Sequence, residues 1–153
     1  MKVYQVVPRG YCKGVIRAIE IAKKQANQDD TYILGMIVHN QYIVDALENL
    51  GIKTIDKKGA SREELLNKVN KGTIIITAHG ASKQIIKKAQ AKNLNVIDAT
   101  CPDVIRTHDL IIKNLHEQKE ILYIGKSGHP ESEGALSIDP KHIHLIETKK
   151  DID

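Results

Sequence analysis

The chain has 153 residues, of which 41% are hydrophobic and 27% are charged. This balance is typical of a soluble globular protein with one domain or two small lobes, and no apolar run approaches the ~20 residues that a transmembrane helix needs. The net charge of +4 suits a small anionic ligand as well as nucleic acid, but without Phe or Trp the sequence offers no base-stacking surface. The sequence therefore predicts neither a membrane protein nor a nucleic-acid-binding protein.

The two cysteines, Cys12 and Cys101, lie far apart in the sequence and form no Cys-x-x-Cys pair. They do not make a disulfide framework, and the first residues have the pattern of a strand rather than that of a secretory signal. A reducing, cytoplasmic compartment is therefore expected.

Apolar segments and helical patterns alternate along the whole chain, which predicts an α/β fold of small parallel-sheet lobes with flanking helices. Residues 1–100 are expected to form a first lobe, with 1–13 carrying the first cysteine loop, and 101–153 are expected to form an incomplete second lobe. The predicted strands are 3–7, 32–38, 53–55, 73–77, 95–98, 121–124 and 144–146. The predicted helices are 15–27, 41–50, 62–70, 83–91 and 103–118.

The segment DATCP, residues 98–102, marks the transition from a predicted short buried strand to a predicted helix. Thr100 is a good N-cap residue, and Pro102 fits the first helical turn because it needs no hydrogen-bond partner there. Cys101 would then lie beside the unpaired amide groups of a helix N-terminus, which favour a thiolate. The alternative is a small, buried, apolar cysteine.

Reactive residue types follow the carboxyl ends of the predicted strands five times. Ligands bind outside those ends in parallel α/β sheets, so these side chains are expected to share one edge. Taken singly, each signal has an ordinary explanation. A histidine at a strand end often hydrogen-bonds within a loop, a neighbouring glycine often serves a turn, and a glutamate can be a plain loop charge. The other four histidines are expected to be surface or packing residues. The residues that follow strands are Cys12, His39, His79, Cys101, and the pair His129 and Glu131.

Several chemical interpretations of this set stay open from the residues alone. Three histidines with glycine-rich turns would make an anion cradle, because imidazole can be cationic and glycine lets backbone amides approach a phosphate. Two thiolates would suit a soft metal or an iron–sulfur cluster, with a carboxyl group as proton donor. Zinc held by two cysteines and two histidines is a simpler site, although its ligands usually come in close pairs. The alternative to an enzyme is a non-catalytic phosphate-binding module with structural cysteines.

Five sequence blocks together resemble the family of 4-hydroxy-3-methylbut-2-enyl diphosphate reductase, the last enzyme of the methylerythritol phosphate route to isoprenoids. The family is built from three α/β lobes around an iron–sulfur cluster, so the resemblance implies one complete lobe and part of a second here. The blocks occur in the family's order and are PRGYCKGV (8–15), VHNQYIVD (38–45), AHGAS (78–82), DATCP (98–102) and GHPESEG (128–134).

The resemblance also implies a role for each candidate residue. Cys12 and Cys101 match two of the three cysteines that hold a [4Fe–4S] cluster, and Glu131 matches the acid that helps to supply protons. The residues that match the lining of the substrate cavity, mainly around the diphosphate, are His39, His79 and His129.

The implied reaction removes the allylic hydroxyl of 4-hydroxy-3-methylbut-2-enyl diphosphate as water, with two protons and two electrons from a ferredoxin or flavodoxin. The chain departs from the family pattern because it lacks the third cysteine and the later polar residues that contact the diphosphate. We therefore expect an amino-terminal fragment that holds no stable [4Fe–4S] cluster and has no reductase activity alone. A swapped dimer is one way in which the second lobe would be completed.

Overall fold

The computed structural model describes residues 1–7, 10–28 and 30–152. Parallel strands and helices alternate along these ranges, which confirms the predicted α/β class. None of the helices in this part of the chain is long and apolar enough to cross a membrane. The strands are β1 Thr31–Leu34, β2 Ile52–Ile55, β3 Thr73–Ile76, β4 Asn95–Asp98, β5 Ile121–Ile124 and β6 Ile143–Ile146. The helices are α1 Lys13–Lys23, α2 Gln41–Glu48, α3 Arg62–Asn67, α4 Lys83–Ala91, α5 Pro102–His116 and α6 Pro130–Leu136, followed by a 3₁₀ turn at Lys149–Asp151.

The strands form two separate parallel sheets. The first has four strands in the order β2-β1-β3-β4, and the second pairs β5 with β6. At the carboxyl ends of the first sheet, Leu34 of β1 lies opposite Ile76 of β3, which lies opposite Asp98 of β4. The loops that follow these strands therefore start side by side along one edge.

Helices cover both faces of the four-stranded sheet. On one face, Ile33 and Ile75 pack with Ala18 and Ala22 of α1 and with Leu47 of α2. The opposite face packs against α3 and α4, and all four residues of β3 are buried. Burial on both faces explains the continuous apolar run of β3, as expected for a central strand of a parallel sheet.

The two-stranded sheet has a much smaller core. Ile111 of α5, Ala135 of α6 and Ile143 of β6 pack together as its buried cluster. Leu122 and Ile124, on the other face of β5, are 65% and 84% exposed. One face of this sheet is therefore packed, and the face that carries Leu122 and Ile124 is open in the part of the chain that the structure describes.

The predicted strand at residues 3–7 does not form. Residues 1–7 have no regular structure, and their valine and tyrosine side chains are at least 75% exposed. The alternating pattern is typical of a strand, but a strand needs a neighbour for its backbone groups, and no strand of the described residues pairs with this segment. The predicted strand break at 8–9 lies outside the described residues.

The start of α5 differs from the prediction in its N-cap. Cys101 occupies the N-cap position and Pro102 begins the helix, whereas Thr100 donates hydrogen bonds to Asp98 through its amide, at 2.8 Å, and through its hydroxyl. The preceding strand β4 forms where predicted but is not buried, because it lies at the edge of the sheet and exposes Asn95 and Asp98. Thr100 therefore binds Asp98 and does not cap the helix, although the sequence pattern predicts it as the N-cap.

Helix α6 is not among the predicted helices. Its N-cap is His129, and its seven residues include Pro130 at the first turn and Gly134. A helix this short shows no recognisable hydrophobic period, and both residue types usually indicate a loop. Local sequence patterns therefore do not predict the helix that positions His129 and Glu131.

Candidate functional site

His39 and His79 are brought together by the two central strands of the four-stranded sheet. His39 lies in the loop after β1 and His79 in the loop after β3, and their rings stack with centroids 6.4 Å apart. Asn40 caps α2 by accepting a hydrogen bond from the amide of Tyr42 at 3.0 Å. Gly80 has a φ of +76°, a conformation that favours glycine. Each histidine therefore lies next to a residue that fixes the local backbone.

His129 reaches the same place from the two-stranded sheet. It follows β5, and its Nδ1 accepts a hydrogen bond from the amide of Glu131 at 3.3 Å. Its ring meets the ring of His79 edge-on, with centroids 5.3 Å apart. Because Nδ1 is an acceptor, the neutral imidazole carries its proton on Nε2, which remains available to donate to an anion.

Glu131 joins the histidines through a direct contact. Its Oε1 lies 2.9 Å from Nδ1 of His79, although the two residues are 52 positions apart. The side chains of His79 and Glu131 are 22% and 38% exposed, so solvent and ligands still reach the pair. An ionised carboxylate accepts the Nδ1 proton of His79, which orients the ring and turns its Nε2 into the atom left for a ligand.

Cys12 and Cys101 occupy equivalent positions at the starts of two neighbouring helices. Cys12 is the N-cap residue of α1 and Cys101 is that of α5. A Cβ atom at Gly14 would clash with Sγ of Cys101, so only glycine permits this approach of the two helix starts. Arg17 of α1 also donates from Nη1 to the carbonyl oxygen of Thr100 at 3.0 Å. Cys12 is exposed and Cys101 is half-buried.

The loop that carries Cys101 is connected to the histidine cluster through the backbone. The amide of Cys101 donates to the carbonyl oxygen of Ala78, the residue before His79, at 2.9 Å. On the other side of His79, a Cβ at Gly80 would lie 3.1 Å from the methyl group of Thr100. The loops after β3 and β4 are therefore packed together, and a thiol and an imidazole come from adjacent loops.

The donor types fit part of an iron–sulfur site. Two cysteines at helix N-termini offer the ligand type that such clusters use. Two thiols are fewer than a cluster needs, and the whole chain has only two cysteines. Within residues 1–7, 10–28 and 30–152, no group of three or more His, Cys, Asp or Glu is arranged to hold a metal ion. This finding also leaves the zinc alternative without a four-ligand set among these residues.

A cavity of about 330 Å³ opens beside the three histidines. It extends from them over the carboxyl ends of β1 and β2 to the start of α3 and the loop after β5. Among the described residues, all three histidines line this cavity and neither cysteine does. Its other charged lining residues are Asp56, Lys57, Lys58, Arg62, Lys126 and Glu133.

Arg62, the first residue of α3, is a site residue that the sequence analysis does not single out. Its guanidinium donates from Nη1 to the carbonyl oxygen of Leu34 at 2.6 Å and from Nη2 to the hydroxyl of Thr77 at 3.1 Å. Leu34 ends β1 and Thr77 directly follows β3, so Arg62 ties together the two strands that precede His39 and His79. Its place after Ser61, in a capping-box pattern, predicts a helix start but gives no sign that its side chain turns inwards.

The other four histidines lie outside the cluster, and His116 of α5 is exposed. His108 of α5 is half-buried against α6, and this burial lowers its pKa. His142 and His144 both contact Glu120, through Nδ1 and Nε2 at 2.9 and 2.7 Å from its two carboxylate oxygens. These hydrogen bonds raise the pKa of His142 and lower the pKa of Glu120.

The structure thus brings the three histidines and Glu131 into one group and places the cysteines on adjoining helices. The expectation that Cys12 follows a strand is wrong, because residues 1–7 form none; Cys12 is positioned by α1 instead. His129 and Glu131 are positioned by a helix rather than by the predicted loop. The chemical roles of all six residues remain predictions.

Comparison with known proteins gives one consistent family. A family model described as LytB protein matches residues 3–153. Similar curated proteins include the 4-hydroxy-3-methylbut-2-enyl diphosphate reductases of a Geobacillus species and of Listeria monocytogenes, each 52% identical to this chain. These alignments cover 100% of this chain but 49% and 47% of the two relatives. The chain therefore spans about half the length of the curated relatives that it matches.

Two solved structures share the fold. The E-1-hydroxy-2-methyl-but-2-enyl-4-diphosphate reductase of Plasmodium falciparum is 35% identical, with a TM-score of 0.84 over 96% of this chain and 45% of that protein. A structure of (E)-4-hydroxy-3-methyl-but-2-enyl diphosphate reductase is 32% identical, with a TM-score of 0.77 over 94% of this chain and 50% of that protein.

Proposed function

Because the chain belongs to the LytB protein family, we propose that it provides thiol, imidazole and carboxyl groups for the reductive dehydroxylation of 4-hydroxy-3-methylbut-2-enyl diphosphate. The observation that supports this most is the convergence of three histidines and Glu131, from two different sheets, next to the loop that carries Cys101. Convergence from separate sheets is difficult to explain by local packing alone. It is expected for a site that holds a ligand between them.

The diphosphate of the substrate is proposed to lie against His39, His79 and His129. The Nε2 atom of the neutral His129 ring donates, because its Nδ1 accepts from the amide of Glu131. The ring of His79 is oriented by the contact of its Nδ1 with Glu131, which leaves its Nε2 for the ligand. These imidazoles would thus contact the negatively charged oxygens of the ligand.

Cys12 and Cys101 are proposed to hold two corners of a [4Fe–4S] cluster. When bound, such a cluster would supply two electrons to the substrate, taken in turn from a ferredoxin or flavodoxin. The allylic C–O bond breaks, and two electrons and two protons convert the hydroxyl into water and leave isopentenyl or dimethylallyl diphosphate. Glu131 is proposed to deliver one of the two protons, since its carboxyl group is partly exposed and close to the cluster of imidazoles.

The chain alone is proposed to be inactive and to lack a stable cluster, since it provides two of the three thiolates that the family uses. Anaerobic reconstitution with iron and sulfide tests this, because turnover with a reduced electron donor would contradict it. A reducing, cytoplasmic location is proposed because both thiols must stay unoxidised. A swapped dimer also remains a prediction, which the mass of the chain in solution would test.

The activity is tested with a chimera in which this chain replaces the matching segment of the Geobacillus reductase. We expect reductive turnover of 4-hydroxy-3-methylbut-2-enyl diphosphate by the chimera. Glu131→Gln should reduce kcat by about 10²–10⁴-fold, as expected for the loss of a general acid. His116→Gln, at an exposed position of α5, is the matched control and should leave kcat unchanged.

The same chimera separates the enzyme from a non-catalytic phosphate-binding module. If it binds pyrophosphate but has no turnover and no cluster absorption, the module is favoured and the reductase is rejected. If Cys12→Ser and Cys101→Ser each abolish the cluster absorption, both thiols are ligands. Retention of the cluster in both variants would contradict the proposed cysteine roles.

A further inference from the structure

Arg62 carries a half-buried positive charge at the cavity beside the three histidines. Its two hydrogen-bond acceptors, the carbonyl of Leu34 and the hydroxyl of Thr77, are both neutral groups. Its Nε is buried and has no hydrogen-bond partner in the part of the chain that the structure describes. A guanidinium keeps its charge in a protein, so this site retains a permanent cation.

The rim of the cavity adds further positive charge. Lys57, Lys58 and Lys126 are exposed lining residues, and with Arg62 they outnumber the two carboxylates. Those two, Asp56 and Glu133, act on Arg62 through their charges and partly oppose the effect of burial on its pKa. The local balance therefore favours an anion. The cavity volume of about 330 Å³ is within the range of small-molecule sites.

The strand order separates this cavity from the cysteines. Arg62 follows β2, at one edge of the four-stranded sheet, and Cys101 follows β4, at the other edge. His39 and His79 follow the two strands between them. One side of the histidine cluster therefore faces the thiols, and the other side faces the cationic cavity.

We propose that this cavity binds a phosphate-type oxyanion and that Arg62, Lys57 and Lys58 are its binding residues. Oxyanions suit a guanidinium that two hydrogen bonds hold in place, with flexible ammonium groups around it. The biological source of the anion, either the diphosphate of the substrate or free phosphate, rests on the proposed function. Binding itself does not, because it depends only on residues described above.

The test is an NMR titration of the 153-residue chain with inorganic phosphate and, separately, with pyrophosphate. We expect saturable shifts of the Arg62 Nε–H signal and of the amides of residues 57–62. Lys57→Met together with Lys58→Met, at exposed positions, should weaken binding about 3- to 10-fold, as expected for the loss of two exposed charges. The matched control is Lys149→Met together with Lys150→Met, which removes the same charge from a turn that does not line the cavity and should leave the affinity unchanged.

Variants of Arg62 complete the test. Arg62→Lys keeps the charge but loses the paired N–H groups of the guanidinium, so it should weaken binding. Arg62→Met removes the charge and should abolish the shifts of the 57–62 amides. If Arg62→Met fails to fold because it no longer ties β1 to β3, the proposal is tested by the Lys57→Met and Lys58→Met variant against its Lys149 and Lys150 control. Shifts that are absent, that never saturate, or that change equally in the Lys149 and Lys150 control would overturn the proposal.

The result is independent of the proposed reductase. A chimera that turns over substrate while the Arg62 Nε–H signal is unaffected by either anion rejects the cavity proposal alone. Saturable shifts at Arg62 in the absence of any turnover reject the reductase alone. If the cavity receives the substrate's own diphosphate, pyrophosphate binds more tightly than phosphate, and the Lys57 and Lys58 variant raises KM in the chimera while kcat stays the same.

Discussion

The two sheets of this protein are built from the same parallel unit but differ in how they are covered. The four-stranded sheet is packed between helices on both faces, and β3 is buried along its whole length. The two-stranded sheet packs α5 and α6 on one face and leaves Leu122 and Ile124 exposed on the other. The stable region therefore holds His39 and His79, whereas His129 and Glu131 depend on the region with less buried surface.

The largest expected difference between the regions is in their cores. Ile75→Ala, in the centre of the four-stranded sheet, should lower the free energy of unfolding by about 2–5 kcal/mol, because it leaves a cavity in a close-packed layer. Ile143→Ala, in the small cluster of the second sheet, should lie at the lower end of that range. Urea denaturation followed by circular dichroism measures both. Leu122→Ala, at an exposed position, is the control and should change stability by less than about 0.5 kcal/mol. Equal losses at Ile75 and Ile143 would show that the two regions share one cooperative core.

The next effect concerns the contact between the first turns of α1 and α5. Gly14→Ala should destabilise the protein by about 1–3 kcal/mol, because the added methyl group would overlap Sγ of Cys101. In a double-mutant cycle, Cys101→Ala should recover part of this loss. Gly134→Ala is the comparison in α6, where the new Cβ would be 3.3 Å from His108 and higher helix propensity offsets the tight contact. Additive effects of Gly14→Ala and Cys101→Ala would contradict the contact.

A smaller effect is expected at the start of α3, which carries Arg62. Ser61 accepts a hydrogen bond from the amide of Glu64 at 3.2 Å, and the Glu64 carboxylate accepts one from the amide of Ser61 at 2.8 Å. Ser61→Ala should therefore destabilise the four-stranded region by about 0.5–2 kcal/mol in the same urea experiment. Ser127→Ala, an exposed serine of the loop after β5, is the matched control and should have little effect. A loss as large at Ser127 would refute the capping explanation.

The smallest expected effect is a pH dependence confined to the two-stranded region. The pKa of His142 is raised above its ordinary 6.5 by Glu120, so its contribution to stability is complete below pH 6.5 and is lost as the pH rises through the raised pKa. The pKa of Glu120 is lowered below its ordinary 4.5, so its contribution is lost only in acid. Above pH 6.5, hydrogen exchange of the β5 and β6 amides should therefore speed up by more than the intrinsic pH factor in the native chain. In His142→Gln, it should speed up by the intrinsic factor alone.

The pH experiment has two internal checks. His108 has a pKa lowered by burial, so its contribution has the opposite sign: stability falls as the pH falls below 6.5. The two histidines are therefore distinguished by the direction of the change. His116→Gln, at an exposed position of α5, should leave the profile as it is. A His142→Gln profile identical to that of the native chain would show that the exposed pair contributes nothing.

The alternation of apolar runs and helical patterns predicts most of the fold, because a parallel sheet covered on both faces requires continuous apolar strands. The capping box at Ser61 and the proline after Cys101 are local signals, and both lie where the pattern places them. The strand at 3–7 is wrong because pairing is not a local property. Helix α6 is not predicted because its proline and glycine are typical of loops.

The candidate site is predictable to the extent that it follows from strand ends. His39 and His79 follow adjacent central strands, and their closeness comes directly from the topology. The contact of Glu131 with His79 depends on how one sheet packs against the other, which no pattern in a single segment contains. Arg62 is the clearest omission, because an arginine in a first helical turn normally points to solvent.

Because of the contact between His79 and Glu131, the proposed anion binding would be the first property to be lost on heating. Openings begin in the least packed part of a protein, so the turn that carries His129 and Glu131 would detach while the larger sheet is still intact. Loss of anion binding would then precede the main melting transition of the chain. An anion held by side chains of both sheets would delay that first opening by mass action, and the protein would be more heat-resistant in its presence than its core alone requires.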